Sequence, residues 1–476
     1  MKKFNKDKYL KKLRFKKYKR YLYIGIPCIL VLLIGIYFAY SKFSVFKEEE
    51  VVRTTVGDFI SGDVVVGAYI DGEYSKSIPG KNDGYIVDKI VCDNDATGSW
   101  NNDSWGIVLT NLTKRTKCNV YFETKKPSLN EKVTTAMSNN PSMFATDDQG
   151  KNVRYIGANP NNYVYFNCSD YSNPTADTCE LWRIIGVFNN VTKGDGSKEN
   201  LVKIIRDESI GNYSWDYKRN GVGTSIHDDE YSDYGSNDWS DSQLMMMLNP
   251  ISYLKSGYTN SSDIISSGSQ QLYSKMGSYY NGTKGCKPAS IASGASFSCT
   301  EVDFTATGLK NDTTRNAIEE VVWNLGGTGS YTSASNGLAS HFYGNERGTT
   351  VYSGRPTTWT GKVGLMYPSD YGYATSGGTT KDRATCLAKE LYNWDSSDFS
   401  DCKGNDYLLD ANSVQWTLAP DLAYTYGVFT VSRGGHVNYR GASVSYAVHP
   451  ALFLKSSILL DKGTGESSNP YTLKIQ

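Results

Sequence analysis

Histidine is nearly missing from this chain, with four residues in 476. None of His227, His341, His436 and His449 stands in a G-x-S-x-G, H-E-x-x-H or C-H setting. Catalysis through a positioned imidazole, or through a zinc-bound water, has no visible signature. Close C-x-x-C pairs are absent, which removes the usual structural zinc site. No phosphate-cradling G-x-x-x-x-G-K-[ST] loop occurs, and LGGTGS (325–330) lacks its lysine. An excess of one charge is lacking too. Fifty Lys and Arg face 49 Asp and Glu, a net charge of +1, which argues against a nucleic-acid partner. After residue 41 no apolar run is long enough to span a bilayer.

The near-zero net charge hides an asymmetry. Residues 1–20 carry eleven Lys and Arg and one Asp, leaving 39 positive and 48 negative charges in the rest. Residues 21–41 (YLYIGIPCILVLLIGIYFAYS) then hold no charge. Twenty-one residues at ~1.5 Å each span ~31 Å, the thickness of a bilayer core. Tyr21, Tyr23, Tyr37 and Tyr40 sit at the two ends, where interfacial aromatics belong. The basic head predicts a cytoplasmic N-terminus and the bulk of the chain outside, in a single-pass cell-membrane protein. A cleaved signal peptide fits less well, because the run is long and ends on bulky residues.

Cys28 lies in that run, and eight cysteines follow it. They fall as neighbouring couples: Cys92 and Cys118, Cys168 and Cys179, Cys286 and Cys299, Cys386 and Cys402. An even number at such spacings predicts disulfides, and short loops close at least entropic cost.

The remainder divides by pattern. Residues 42–55 read as a charged stalk. Residues 56–124 read as a small all-β sandwich, from VVVGAYI, GYIVDKIVC and WGIVLTNL, with Trp100 and Trp105 packed beside the first disulfide. Residues 125–140 read as a linker with a short helix, capped by Ser128 with Glu131. From 141 to 476 a large mixed region follows. YVYFNC (163–168), ELWRIIGVF (180–188), NLVKIIRD (200–207), VGLMYP (363–368), QWTLAP (415–420), YGVFTVSR (426–433) and ALFLKSSILL (451–460) predict strands. Residues 238–250, 315–327 and 382–393 predict helices, the first capped by Ser240 with Gln243.

Two stretches, RYIGANPNNYVYFN…CELWRIIGVF and GRPTTWTGKVGLMYPSDYGYA, resemble uncharacterised membrane-anchored surface proteins of gut Firmicutes and related bacteria. The run VFTVSRGGHVNYRGASVSYAVHPALFLKSS resembles the closing strands of a C-type-lectin-like domain of the formylglycine-generating-enzyme type. Arg433, Gly434 and Gly435 match its turn, and Val448, Pro450 and Leu452 match its last strand, with His449 where an arginine is usual. The resemblance implies the scaffold and not the oxidase, which needs a cysteine pair near this region to hold copper. The expected fold class is α+β: an N-terminal transmembrane helix, a small all-β sandwich module, then a large mixed α+β C-type-lectin-like domain.

Two surfaces stand out as candidates. The acidic stretch 227–242 could hold calcium through Asp228, Asp229, Glu230, Asp233 and Asp238, although the D-x-D-x-D-G pattern is absent. No other cofactor is implied. The turn 433–446 mixes Arg433, His436, Asn438, Tyr439, Arg440 and Tyr446 on a glycine-rich hairpin, which predicts an exposed ligand-binding surface. The function expected is adhesion or recognition rather than catalysis, with a glycan, an envelope polymer or a surface protein as ligand. The rival readings are an extracytoplasmic hydrolase acting on envelope material and a structural envelope protein. A deep pocket of converging carboxylates would favour the enzyme, and a shallow aromatic patch would favour binding.

Overall fold

Alternating apolar residues build the first described strands. In the computed structural model, residues 52–54, 64–112, 115–216, 234–249, 284–287, 300–303 and 309–475 are described. The chain divides after Lys125 into two units. In the first, Val64–Ile70 runs parallel to Thr116–Thr124, which pairs antiparallel with Tyr85–Cys92. Asp71 and Gly72, both at positive φ, turn the chain back into Glu73–Ser75. A second sheet holds Val52–Thr54, Gly106–Thr110 and Thr97–Asn101. Ala68, Val120 and Phe122 from one sheet meet Ile107 and Leu109 from the other in one core. Cys92 and Cys118 are register partners on neighbouring strands and form a disulfide. Trp100 packs edge-on against Trp105 and Phe122, so both tryptophans belong to this core.

The second unit begins with the helix Leu129–Asn139, closed by the Ser128 and Glu131 capping box. It buries Leu129 and Val133 in the large core. The main sheet runs in the order Val363–Gly364, Ala451–Leu454, Lys198–Arg206, Glu180–Thr192, Val153–Tyr155, Phe144–Ala145, with Tyr163–Phe166 also on the long strand. A five-stranded sheet holds Asn212–Ser214, Ser445–Ala447, Gln415–Pro420, Gly427–Val431 and Val437–Gly441 in that order. Trp182, Trp215, Trp239, Trp323, Trp394 and Trp416 are fully buried among these elements.

Several expectations need correction. Among the described residues no helix is long and apolar enough to cross a membrane. The longest of them, Leu129–Asn139, has 11 residues and is ~17 Å long, about half a bilayer core. The expected span at 21–41 lies outside the described residues. The transmembrane helix in the fold class, the single-pass topology, the membrane as partner and the cell-membrane location are therefore withdrawn. What stands is an α+β chain built on sheets.

The helix expected over 315–327 is shorter, Asp312–Ala317. Val321–Asn324 is instead a strand paired with Thr358–Gly361, where β-branched Val321 and Val322 suit a pleated surface. In VGLMYP only Val363–Gly364 pairs as a strand, and Pro368 opens a helix to Tyr373. The helix near 240 runs Gln243–Leu248 and is capped by Ser242, not Ser240. ALFLKSSILL is two strands, Ala451–Leu454 and Leu459–Lys462.

Three disulfides are present among the described residues: Cys92–Cys118, Cys168–Cys179 and Cys386–Cys402. The expected Cys286–Cys299 link lies outside them. Cys386 and Cys402 are fully buried and tie the helix Arg383–Leu387 to the loop that follows. Replacing both by alanine is expected to lower stability by about 3 kcal/mol for a loop of this size. Urea unfolding of the oxidised chain and the double variant checks this, and equal midpoints would refute it.

Candidate functional site

The hairpin at 427–441 is held from beneath. Gly427–Val431 is buried along its whole length, so it does not alternate between core and solvent as its sequence suggests. It pairs with Val437–Gly441, placing Phe429 opposite Tyr439 and Thr430 opposite Asn438. The turn closes with the Ser432 amide donating to the His436 carbonyl at 2.9 Å. Gly435 has φ +79°, and a Cβ there would lie 2.6 Å from the Cβ of Lys403. The Tyr371 hydroxyl donates to the Gly435 carbonyl at 2.8 Å. The turn is therefore fixed by both backbone and neighbour.

Outside this hairpin the rings form a continuous chain. Tyr424 stacks on Tyr439 at 5.0 Å and on Tyr426 at 5.3 Å, with interplanar angles of 25° and 28°. Tyr234 lies 4.8 Å from Tyr426 at one end. Towards the other end Tyr331 meets Tyr439 edge-on at 6.1 Å, Tyr392 meets Tyr331 at 5.5 Å, and His436 lies 6.1 Å from Tyr392. Tyr234 is 54% exposed and Tyr424 is 40% exposed, whereas Tyr331 is buried. The strip thus has a wet edge and an anchored edge. Its anchor is polar: the Tyr331 hydroxyl donates to Asn438 Oδ1 at 2.6 Å, and the Tyr439 amide donates to the same oxygen at 2.8 Å. A hydrogen bond with Tyr424 pushes the Tyr439 phenol up to about 12. Burial pushes Tyr331 up to about 12 as well. Both hydroxyls therefore stay protonated donors at neutral pH.

His436 sits beside a serine and an acid without forming a catalytic triad. Its Nδ1 lies 2.8 Å from Ser432 Oγ and 2.6 Å from Asp395 Oδ2. A nucleophilic triad sets the hydroxyl and the acid on opposite ring nitrogens. Here both fall on one nitrogen, so this group fixes the turn and does not activate Ser432. Burial draws the imidazole pKa down against the pull of Asp395.

The predicted residues are placed unequally. Arg433 is exposed, while His436, Asn438, Tyr439 and Arg440 are half-buried, because Tyr331, Tyr392 and Tyr424 pack over them. Arg440 Nη1 donates to the Tyr439 carbonyl at 2.9 Å. Tyr446 does not join them. Its strand is separated from Val437–Gly441 by two others, ~14 Å across the sheet, and its ring packs on Trp416 at 5.2 Å. Asp228, Asp229, Glu230 and Asp233 lie outside the described residues. Asp238 caps a helical turn through Ser240 and faces Arg355 at 3.9 Å, so its oxygens are engaged. Among the described residues no group of His, Cys, Asp or Glu is arranged to hold a metal ion.

Sequence reasoning missed Tyr234, Tyr331, Tyr392, Tyr424 and Tyr426. The Tyr-x-Tyr at 424–426, directly before the buried strand, was the one local signal. No family model, no curated protein and no solved structure matches the chain, so the lectin-like and surface-protein resemblances have no counterpart there.

Proposed function

We propose that the second unit is a binding module and that its ligand, a glycan, lies along the tyrosine strip beside 424–439. The observation that carries this reading is the run of Tyr234, Tyr426, Tyr424 and Tyr439 with neighbouring rings 4.8 to 5.3 Å apart on a rigid hairpin. A phenol presents an apolar ring and a hydroxyl on one stiff side chain. A pyranose presents the matching pair, C–H faces and equatorial hydroxyls. Rings already locked against one another lose little rotamer freedom on binding. Arg433, Asn438 and Arg440 supply polar groups at the rim. The disulfides agree with a ligand met in an oxidising environment.

A glycan array probed with the purified chain tests this. Tyr424→Ala is expected to weaken binding to any hit about tenfold, ~1.4 kcal/mol. Tyr424 is 40% exposed but stacks on two rings, so a stability loss of roughly 1–2 kcal/mol is expected and binding is compared on folded protein. Binding that survives both Tyr424→Ala and Tyr426→Ala would place the ligand elsewhere.

A further inference from the structure

A second site lies away from the tyrosine strip. A cavity of about 290 Å³ opens between the main sheet and the strand Val321–Asn324. Phe188, Trp323, Tyr343, Tyr367 and Phe453 give it five aromatic walls, and Arg347 lines it too. At the low end of small-molecule sites (~300–1,000 Å³), it suits a single flat ring and not a polymer.

Arg347 is the unusual member. Its guanidinium lies 3.5 Å from the ring centre of Tyr343. Only Nη1 is engaged, donating to the Tyr343 carbonyl at 3.2 Å and to Glu346 Oε2 at 3.1 Å. Nε and Nη2 meet no partner among the described residues, and the side chain is 25% exposed. These two donors form the side of the guanidinium that grips a carboxylate in parallel. Lys203, the other cation of the lining, is a point charge already paired with an acid and offers no planar fork. It is fully buried and its ammonium is 2.6 Å from Asp370 Oδ2.

The open edge of Arg347 narrows the ligand. Arg154, Lys203 and Arg347 stand against Asp148, Asp370 and Glu346 in one buried neighbourhood. Three cations against three acids leave no net charge, so the balance itself favours no anion; the open Nε and Nη2 edge of Arg347 matches one carboxylate group. We propose that this cavity binds an aromatic monocarboxylate, with its carboxylate on Nε and Nη2 of Arg347 and its ring among the aromatic walls.

The test uses the purified full chain and calorimetric titration with benzoate and with benzamide, its neutral counterpart of the same shape. Benzoate should bind at least about tenfold more tightly than benzamide. Arg347→Gln should erase that preference, and Arg347→Lys should restore only part of it, since an ammonium cannot form the fork. Tyr424→Ala should leave benzoate binding unchanged, which separates this site from the tyrosine strip. If Arg347→Gln does not fold, the wild-type comparison of the two probes still decides. Equal affinity for both probes, no benzoate binding at millimolar concentration, or benzoate binding that ignores Arg347→Gln would each overturn the assignment.

Discussion

Asp370→Ala is expected to remove ~3–5 kcal/mol of stability, a large share of the ~5–15 kcal/mol typical of folded proteins. Asp370 is buried and receives Lys203 Nζ at 2.6 Å, Arg154 Nη1 at 2.8 Å and the Tyr367 amide at 3.0 Å. Lys203 and Arg154 are as buried as the acid. Alanine would leave the Lys203 ammonium with no ion-pair partner and Arg154 with Asp148 alone. The loss comes from those stranded charges more than from any attraction between the pairs, because bringing ions out of water already offsets most of that attraction. Burial works against the Asp370 charge, yet the Lys203 and Arg154 cations outweigh it and hold the carboxyl well below the usual range. A depressed folded value means a contribution fully present above the ordinary carboxylate pKa, ~4. It is lost progressively as pH falls from there towards the lower folded value, so part of the loss is already visible at pH 3. Urea unfolding between neutral pH and pH 3 should show this acid-side loss in the parent and not in the variant. A parent-like midpoint for Asp370→Ala at pH 7 would contradict the reading.

Asp406→Asn is expected to act in the opposite direction. Asp406 is buried; its Oδ1 accepts the Leu408 and Leu409 amides at 2.9 and 2.8 Å, and its Oδ2 meets no partner among the described residues. Among the described residues no cation offsets this, and burial raises its pKa to about 7. The folded chain therefore holds this proton more tightly than the unfolded chain, where the value is ~3.9. The favourable contribution is complete below pH ~4 and fades as pH rises towards about 7. Over that window the loss reaches up to roughly 4 kcal/mol at ~1.4 kcal/mol per unit. Asparagine keeps the acceptor for both amides and carries no charge. The variant should melt higher than the parent at pH 8 and match it only below pH ~4. A variant that melts lower at pH 8, or keeps the parent's slope, would show that Asp406 ionises without strain.

The two acids also mark where the sequence was silent. The long strands were legible because ELWRIIGVF and NLVKIIRD are dense in β-branched and apolar residues, and both form strands where expected. Their meaning was not. Arg183 in LWRII and Lys203 in LVKII are single cations inside apolar runs, and both are buried. A lone charge in a strand with no alternation was the available hint of a polar centre. Asp370 gave a weaker one, an acid amid the tyrosines of MYPSDYGYA. Val321–Asn324 misled because Ile318, Val321, Val322 and Leu325 also satisfy a helical stripe. Only its partner Thr358–Gly361, 34 to 40 residues away in register, decides for a strand. The tyrosine strip was half legible. Tyr439 and Asn438 were readable on their turn, while Tyr234 and Tyr331 reach it from distant segments that no local pattern connects.

The order of strands in the main sheet has a consequence for synthesis. Lys198–Arg206 lies between Glu180–Thr192, its neighbour in sequence, and Ala451–Leu454, where Ile205 pairs with Ala451. The helix Leu129–Asn139 likewise waits on the last stretch of chain, for the Leu129 amide donates to the Ile458 carbonyl at 3.0 Å. The central strand cannot complete its ladder until nearly the whole second unit, Lys126–Gln476, has left the ribosome. At ~5–20 residues per second that delay is roughly 20–70 s. The four-stranded sheet of the first unit is drawn from residues 64–124 and can close during that interval. A nascent chain therefore carries one finished module while the apolar strands around Lys203 and Arg183 stand open, a window in which a chaperone or a premature stop decides the fate of the product.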